Sequence, residues 1–292
     1  MKNALSTILA FSLLAACGND QTFLPPDAAY TTDGQAPLSC IPNLDGKITS
    51  NELQAAIGAS ERYMVSPAGQ NEAISAVAPA GLAGTVNGNG QRVWNWSTSL
   101  ASDKDFTLVP ATLAGKWYAS SFPNGQFVLP IDAADTTEGV YLHDDQAIRL
   151  LGIASTLESP TQGKTLVVYE TPVILYQFPI EVGASWTSTG VSKNATLLGL
   201  PYAGTDTYAT QVDASGVMIL PDYTFTQVMR VSTLVTVAPD VGPPPNTQRQ
   251  VSFLFECFGE VARATSVLNE TNADFTTASE IRRLGATPPT SD

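Results

Sequence analysis

Apolar and polar residues alternate along most of this chain. In residues 229–237 (MRVSTLVTV), Val231, Thr233, Val235 and Val237 fall on one side of an extended strand, as a two-residue period requires. Comparable short runs rich in Val, Ile, Thr, Tyr and Phe recur from residue 61 onward, among them ERYMVSP, EAISAVAPAGLAG, EGVYLHD, AIRLLGIAS and KTLVVYE. Gly, Pro, Asn or Asp separates them, which is the punctuation of strands rather than helices. NGNG at 87–90 is a hairpin signal, and the strand leaving it places Trp94 and Trp96 on one face. TTASEIRRLG near the end is expected to form a last strand against residues 261–266. Only residues 51–57 read as helix, entered through the capping box Thr49-Ser50-Asn51-Glu52 and carrying Leu53, Ala56 and Ile57 as its apolar face. The expected fold is all-β and antiparallel, a sandwich or a partly open barrel, with one short N-terminal helix.

The first residues follow a different rule. Lys2 precedes an apolar run over residues 4–16 that is too short to cross a bilayer and has the layout of a secretory leader. Leu14-Ala15-Ala16-Cys17 resembles the lipobox of bacterial lipoproteins. That resemblance implies cleavage before Cys17 and a diacylglycerol on its thiol, with the mature chain held at a membrane by its acyl chains. Gly18 and Asn19 follow, without the Asp directly after the Cys that retains such proteins at the inner membrane of enteric bacteria. The expected location is therefore the cell envelope, lipid-anchored to the outer membrane and either periplasmic or surface-exposed. The expected divisions are a signal peptide (1–16), a flexible tether (17–38), a loop with a short helix (39–60), a β-rich domain (61–285) and a tail (286–292).

Export bears on the cysteines. With Cys17 lipidated, Cys40 and Cys257 remain in an oxidising compartment, where a disulfide is expected; the alternative is two buried free thiols. The formal charge of −13 gives no basic face for phosphates, which disfavours nucleic acid as a partner.

Three stretches, FPIEVGASW (178–186), VMILPDYTFTQVMRV (217–231) and FECFGEVAR (255–263), occur in that order. They resemble a β-rich domain found in uncharacterised bacterial lipoproteins. The resemblance covers turn and core positions; it implies the fold and assigns no catalytic residue.

The stretch CIPNLDGKITSNEL (40–53) also resembles an EF-hand or dockerin loop. With Gly46 at the sixth place, Asn43, Asp45 and Glu52 stand at the third, fifth and twelfth, Lys47 offers a carbonyl at the seventh and Thr49 stands at the ninth. These are the candidate calcium ligands. Ile41 stands at the first place and offers no side-chain oxygen. An Asp-Gly turn running into a capped helix accounts for the same residues, and the loop is expected to be a cap that keeps the outline of a calcium site without binding the ion tightly. No other cofactor is implied.

His143 is the only histidine, so any Ser-His-Asp triad would have to use it; beside Asp144-Asp145-Gln146 it reads as an exposed strand end. Trp94 and Trp96 read either as core or as a stacking platform for sugars. No spacing singles out a carboxylate pair among the 27 acidic residues. The reading is a membrane-anchored, non-enzymatic binding or scaffolding domain with an unassigned protein or small-molecule partner. The alternatives are a carrier of lipid or another apolar ligand in a half-open barrel, and a carboxylate-based hydrolase.

Overall fold

The computed structural model describes residues 40–286, apart from 68 and 133. The leader, the tether, Cys17 and the tail beyond residue 286 lie outside the described residues. The chain begins with β1 (Lys47–Ile48), β2 (Glu61–Val65), β3 (Glu72–Ala73), the single-turn α1 (Ile74–Val77), β4 (Thr85–Val86), β5 (Arg92–Asn95) and β6 (Lys104–Leu108). A meander of β7 (Phe127–Pro130), β8 (Thr137–His143), β9 (Ala147–Ser155) and β10 (Leu166–Gln177) follows. After the short β11 (Ile180–Glu181) come β12 (Ser185–Leu197), β13 (Leu200–Ile219) and β14 (Thr224–Pro239), then β15 (Asn246–Phe255), β16 (Gly259–Ser266) and β17 (Thr277–Gly285).

Apart from the parallel contact of β5 with β13, all pairs are antiparallel, and the sheet order is β6-β2-β17-β16-β15-β14-β13-β12-β10-β9-β8-β7. The two edges almost meet. Ala111, just beyond β6, makes a bridge to Val128 in β7, so the sheet curls into a nearly closed barrel. Closure removes most of the unpaired edge that an open sheet of this width would expose.

Two layers cover the outer face. Trp94 and Trp96 are fully buried and pack edge-on against Phe253 at 5.0 and 5.2 Å between ring centroids, together with Val77, Leu82 and Ile281. They are core, not a platform. Tyr118 and Phe122, after β6, cover Val128, Val140 and Leu151 on the opposite side of the barrel.

Three sequence expectations are corrected. Residues 51–57 do not form a helix; only a 3-10 turn at Ser50–Glu52 forms, with its capping box intact. Leu53 turns into the core while Ile57 stands 49% exposed, so the apolar residues never share a face, and Gly58 at φ +82° ends the segment. The α-turn lies instead at Ile74–Val77, inside a run read as strand. Ile74 and Val77, three apart, are both buried, which is helical spacing. Alternation in FLFECF would put Cys257 on the face of Phe253 and Phe255, but it sits in the turn after β15 at φ +66°. The disulfide to Cys40 is nevertheless present, with Cα atoms 5.5 Å apart. The final strand pairs with β16 as expected.

Candidate functional site

Residues directly opposite one another in neighbouring strands share a face, so the register maps the inner wall of the barrel. One rung reads Arg282, Arg263, Ser252, Val231 and Val212 across β17 to β13. The next reads Glu280, Thr265, Gln250, Thr233, Thr210 and Trp186. A third reads Gln248, Val235, Tyr208 and Ser188. Their polarity passes from charged at β16–β17 to hydroxyl and aromatic at β12–β13.

A continuous network joins the charged part. Glu280 Oε1 accepts Arg263 Nη2 at 3.0 Å and Arg282 Nη2 at 2.9 Å. Glu260 lies 3.4 Å from Arg263 Nη1 and accepts the Ser252 hydroxyl at 2.7 Å, and Gln250 Nε2 donates to Ser252 at 3.2 Å. Tyr63 donates to the Glu260 carbonyl at 2.7 Å and lies 3.0 Å from a Glu61 oxygen. The Arg282 guanidinium lies over Phe106 and Tyr63 at 5.2 and 5.9 Å.

Electrostatics show what faces this network. Burial pushes the Tyr141 phenol up to about 12, with Arg263 opposing and Glu260 adding to the shift. Tyr176 is raised by burial and by Glu260, with Arg263 and the nearby Ser252 hydroxyl opposing. Tyr141 and Tyr176 belong to β8 and β10, far from β16 in the sheet order, yet both pack against the cluster of Val231 and Leu254 on β14 and β15, so these strands meet across the interior. Burial also works against the charge of Glu280, yet Arg263 and Arg282 hold its pKa below the ordinary value. Burial raises Glu61 above its ordinary value, with the Tyr63 hydrogen bond opposing and Glu260 adding.

Several inner-wall side chains keep some accessible surface. Arg263, Glu260 and Glu280 keep 16, 18 and 20% of their side-chain surface accessible, and Tyr141, Tyr176, Tyr208, Gln248 and Gln250 are half-buried. Two glycines make room for aromatic rings on the wall. A Cβ on Gly139 would collide with the Tyr141 ring, and one on Gly190 would stand 2.6 Å from Tyr169, so both rings lie flat against the wall. Tyr169 donates to Asp206, and burial raises that carboxyl.

The loop at 40–53 closes one end. Ile48 and Leu53 pack with Ile148, Ile180, Val212, Met229 and Leu254, and β1 pairs with β11. Of the candidate calcium ligands, Asn43 and Glu52 meet, Asn43 Nδ2 donating to Glu52 Oε1 at 2.9 Å, while Asp45 accepts the Lys47 N–H at 3.2 Å. Cys40 and Cys257 bind this loop to the turn after β15. His143 ends β8 but is half-buried rather than exposed; its Nε2 lies 2.9 Å from the Ser50 hydroxyl, which also donates to the Asp144 carbonyl. Burial lowers its pKa against the opposing pull of Asp144 and Asp145, so the ring is neutral at pH 7 and ties the cap to the β8–β9 turn.

The chain matches no family model, no curated protein and no solved structure at a significant level. The inner-wall residues Arg263, Glu280 and Arg282 are not distinguishable as a site from sequence. Their one signal is a pair of strands in which charged residues occupy the face opposite Ala262, Ala264 and Ile281, an inside that is polar on both counts.

Proposed function

We propose that this chain is an exported, lipid-anchored binding protein whose barrel interior holds a polar small molecule. The observation that carries the reading is the accessible network of Arg263, Glu280, Glu260, Ser252 and Gln250 on the inner wall, faced by Tyr141 and Tyr176. Recesses of this kind, aromatic with a few fixed polar groups, suit small ligands that combine a flat or hydroxylated body with hydrogen-bonding groups. The charged network speaks against an apolar carrier, because an acyl chain there would strip the remaining solvent from Arg263, Glu260 and Glu280. Anchoring through Cys17 rests on the resemblance of residues 14–17 to a lipobox.

The test is native mass spectrometry of the chain carrying Cys17→Ser, isolated without detergent. The expected result is a co-purifying small polar adduct that Glu280→Gln and Gln250→Leu release. Recovery of fatty acid or phospholipid in the interior would replace this reading with the apolar carrier.

One observation favours a second reading. Glu61 is pushed up and Glu280 pulled down within one network, the asymmetry that separates a general acid from a carboxylate base. Hydrolysis of chromogenic esters or glycosides by the wild type, abolished by Glu61→Gln, would establish a carboxylate hydrolase.

A further inference from the structure

The loop at 40–53 lacks a carboxylate at its first place, where Ile41 is 82% exposed, but a carboxylate reaches the loop from elsewhere. Glu256, from the turn after β15, is 1% exposed. Its Oε2 accepts the backbone N–H of Asn43 at 2.7 Å and of Leu44 at 2.8 Å. The neighbouring bond accounts for the placement: Cys257 is disulfide-linked to Cys40, which brings the turn carrying Glu256 against the start of the loop.

Glu256 Oε1 is buried and has no hydrogen-bond partner. The two oxygens of a carboxylate are separated by less than a hydrogen-bond length, so Oε1 borders the same loop that Oε2 binds. An ionised oxygen left unpaired in the interior is costly; a proton, a water or a cation must meet it. Glu52, 8% exposed, brings the second carboxylate. Its Oε1 contacts the Asn43 side chain, and its Oε2 accepts the Thr49 N–H and hydroxyl, both at 2.8 Å. Asn43 therefore touches both acids, Glu256 through its backbone and Glu52 through its side chain. Gly46 at φ +91° supplies the sharp turn.

We propose that Glu256 replaces the missing first carboxylate and that the loop binds one calcium ion between Glu256 and Glu52. The Asn43 amide, whose oxygen accepts the Asp45 N–H at 2.9 Å, would give up that bond to turn its oxygen inward, and the Lys47 carbonyl would add a neutral ligand. Among the described residues no three His, Cys, Asp or Glu side chains are grouped as a metal site; the set proposed has two acids and neutral oxygens. Ligand charge sets affinity in such loops, so the expected dissociation constant falls in the weak range of extracellular modules, about 10⁻⁴–10⁻³ M. Magnesium, which sheds its water reluctantly and demands a tighter octahedron, should bind less well.

The test is calorimetric titration of the full chain with calcium and with magnesium, paired with thermal unfolding in calcium and in a chelator. The wild type is expected to bind one calcium and to melt higher in its presence. Glu256→Gln and Glu52→Gln should each weaken binding by about tenfold or more and remove the calcium dependence of melting. Should Glu256→Gln fail to fold, Glu256→Asp, which withdraws the carboxylate by one methylene, should weaken binding in the same way. No calcium heat and no melting shift in the wild type would overturn the proposal, as would wild-type affinity in whichever Glu256 variant folds.

Discussion

Arg263 and Arg282 stand directly opposite each other across β16 and β17 and donate to the same oxygen, Glu280 Oε1, at 3.0 and 2.9 Å. Two guanidiniums side by side repel, and that shared acceptor is what makes their pairing tolerable. Glu280→Gln should therefore destabilise the barrel by at least about 2 kcal/mol, somewhat below the roughly 3–5 of a fully enclosed pair because Glu280 remains partly accessible. Arg282→Leu should cost less, since Glu280 then keeps Arg263. Urea unfolding of both variants at pH 7 gives the order of the two losses, and the reverse order would contradict this account.

The same residue sets an acid limit. The Glu280 pKa lies below its ordinary 4.5 in the folded chain, so its contribution is fully present above 4.5 and is lost as pH falls through the depressed folded value. The melting temperature of the wild type should drop across that acid window, and that of Glu280→Gln should drop less.

Glu61 carries the opposite sign. Its folded pKa is raised above 4.5, so what it contributes is present below 4.5 and is lost as pH rises through the folded value. Glu61→Gln should melt higher than the wild type at pH 7.5, with the advantage vanishing near pH 4. Equal melting at both pH values would show that Glu61 is not desolvated.

The Cys40–Cys257 bond closes 217 residues, for which the chain-entropy argument gives a ceiling of about 5 kcal/mol. Reduction, or Cys40→Ser, should lower the urea midpoint and loosen the cap formed by Ile48 and Leu53. Hydrogen exchange should then rise first at residues 40–53, and uniform exchange across the sheet would contradict the capping role.

Cys17→Ser should abolish incorporation of a fatty-acid label and move the protein from the membrane to the soluble fraction. Label retained by the variant would refute the anchor.

The sequence carries the strands because alternation is local: the 229–237 run and the NGNG hairpin both form where their pattern places them. Two local patterns misled. Leu53, Ala56 and Ile57 have helical spacing, but tertiary packing takes only Leu53 inward. Ile74 and Val77 are too few to reveal a helical turn among strand-like neighbours. The interior site was not legible, because an inward Arg on a barrel strand has the same two-residue spacing as an outward one. Arg263 and Arg282 look like solvent-facing charges until the register brings Ser252, Tyr141 and Tyr176 to them. Glu256 was legible in part. Pairing Cys40 with Cys257 brings the turn after β15 to the loop, but only the structure shows that Glu256, and not Phe258, reaches the Asn43 and Leu44 N–H groups.

The central claim is that the barrel encloses a polar recess reachable by small hydrophilic solutes. Gln250→Cys places a thiol on the inner wall, and Val251→Cys places one in the buried outer-face core on the same strand. Both are made in a Cys17→Ser chain with the disulfide intact and treated with a negatively charged methanethiosulfonate, the extent of reaction being followed by mass. The account predicts that the Gln250→Cys chain is modified under native conditions and that the Val251→Cys chain is not. Two variants that react only after unfolding would contradict it.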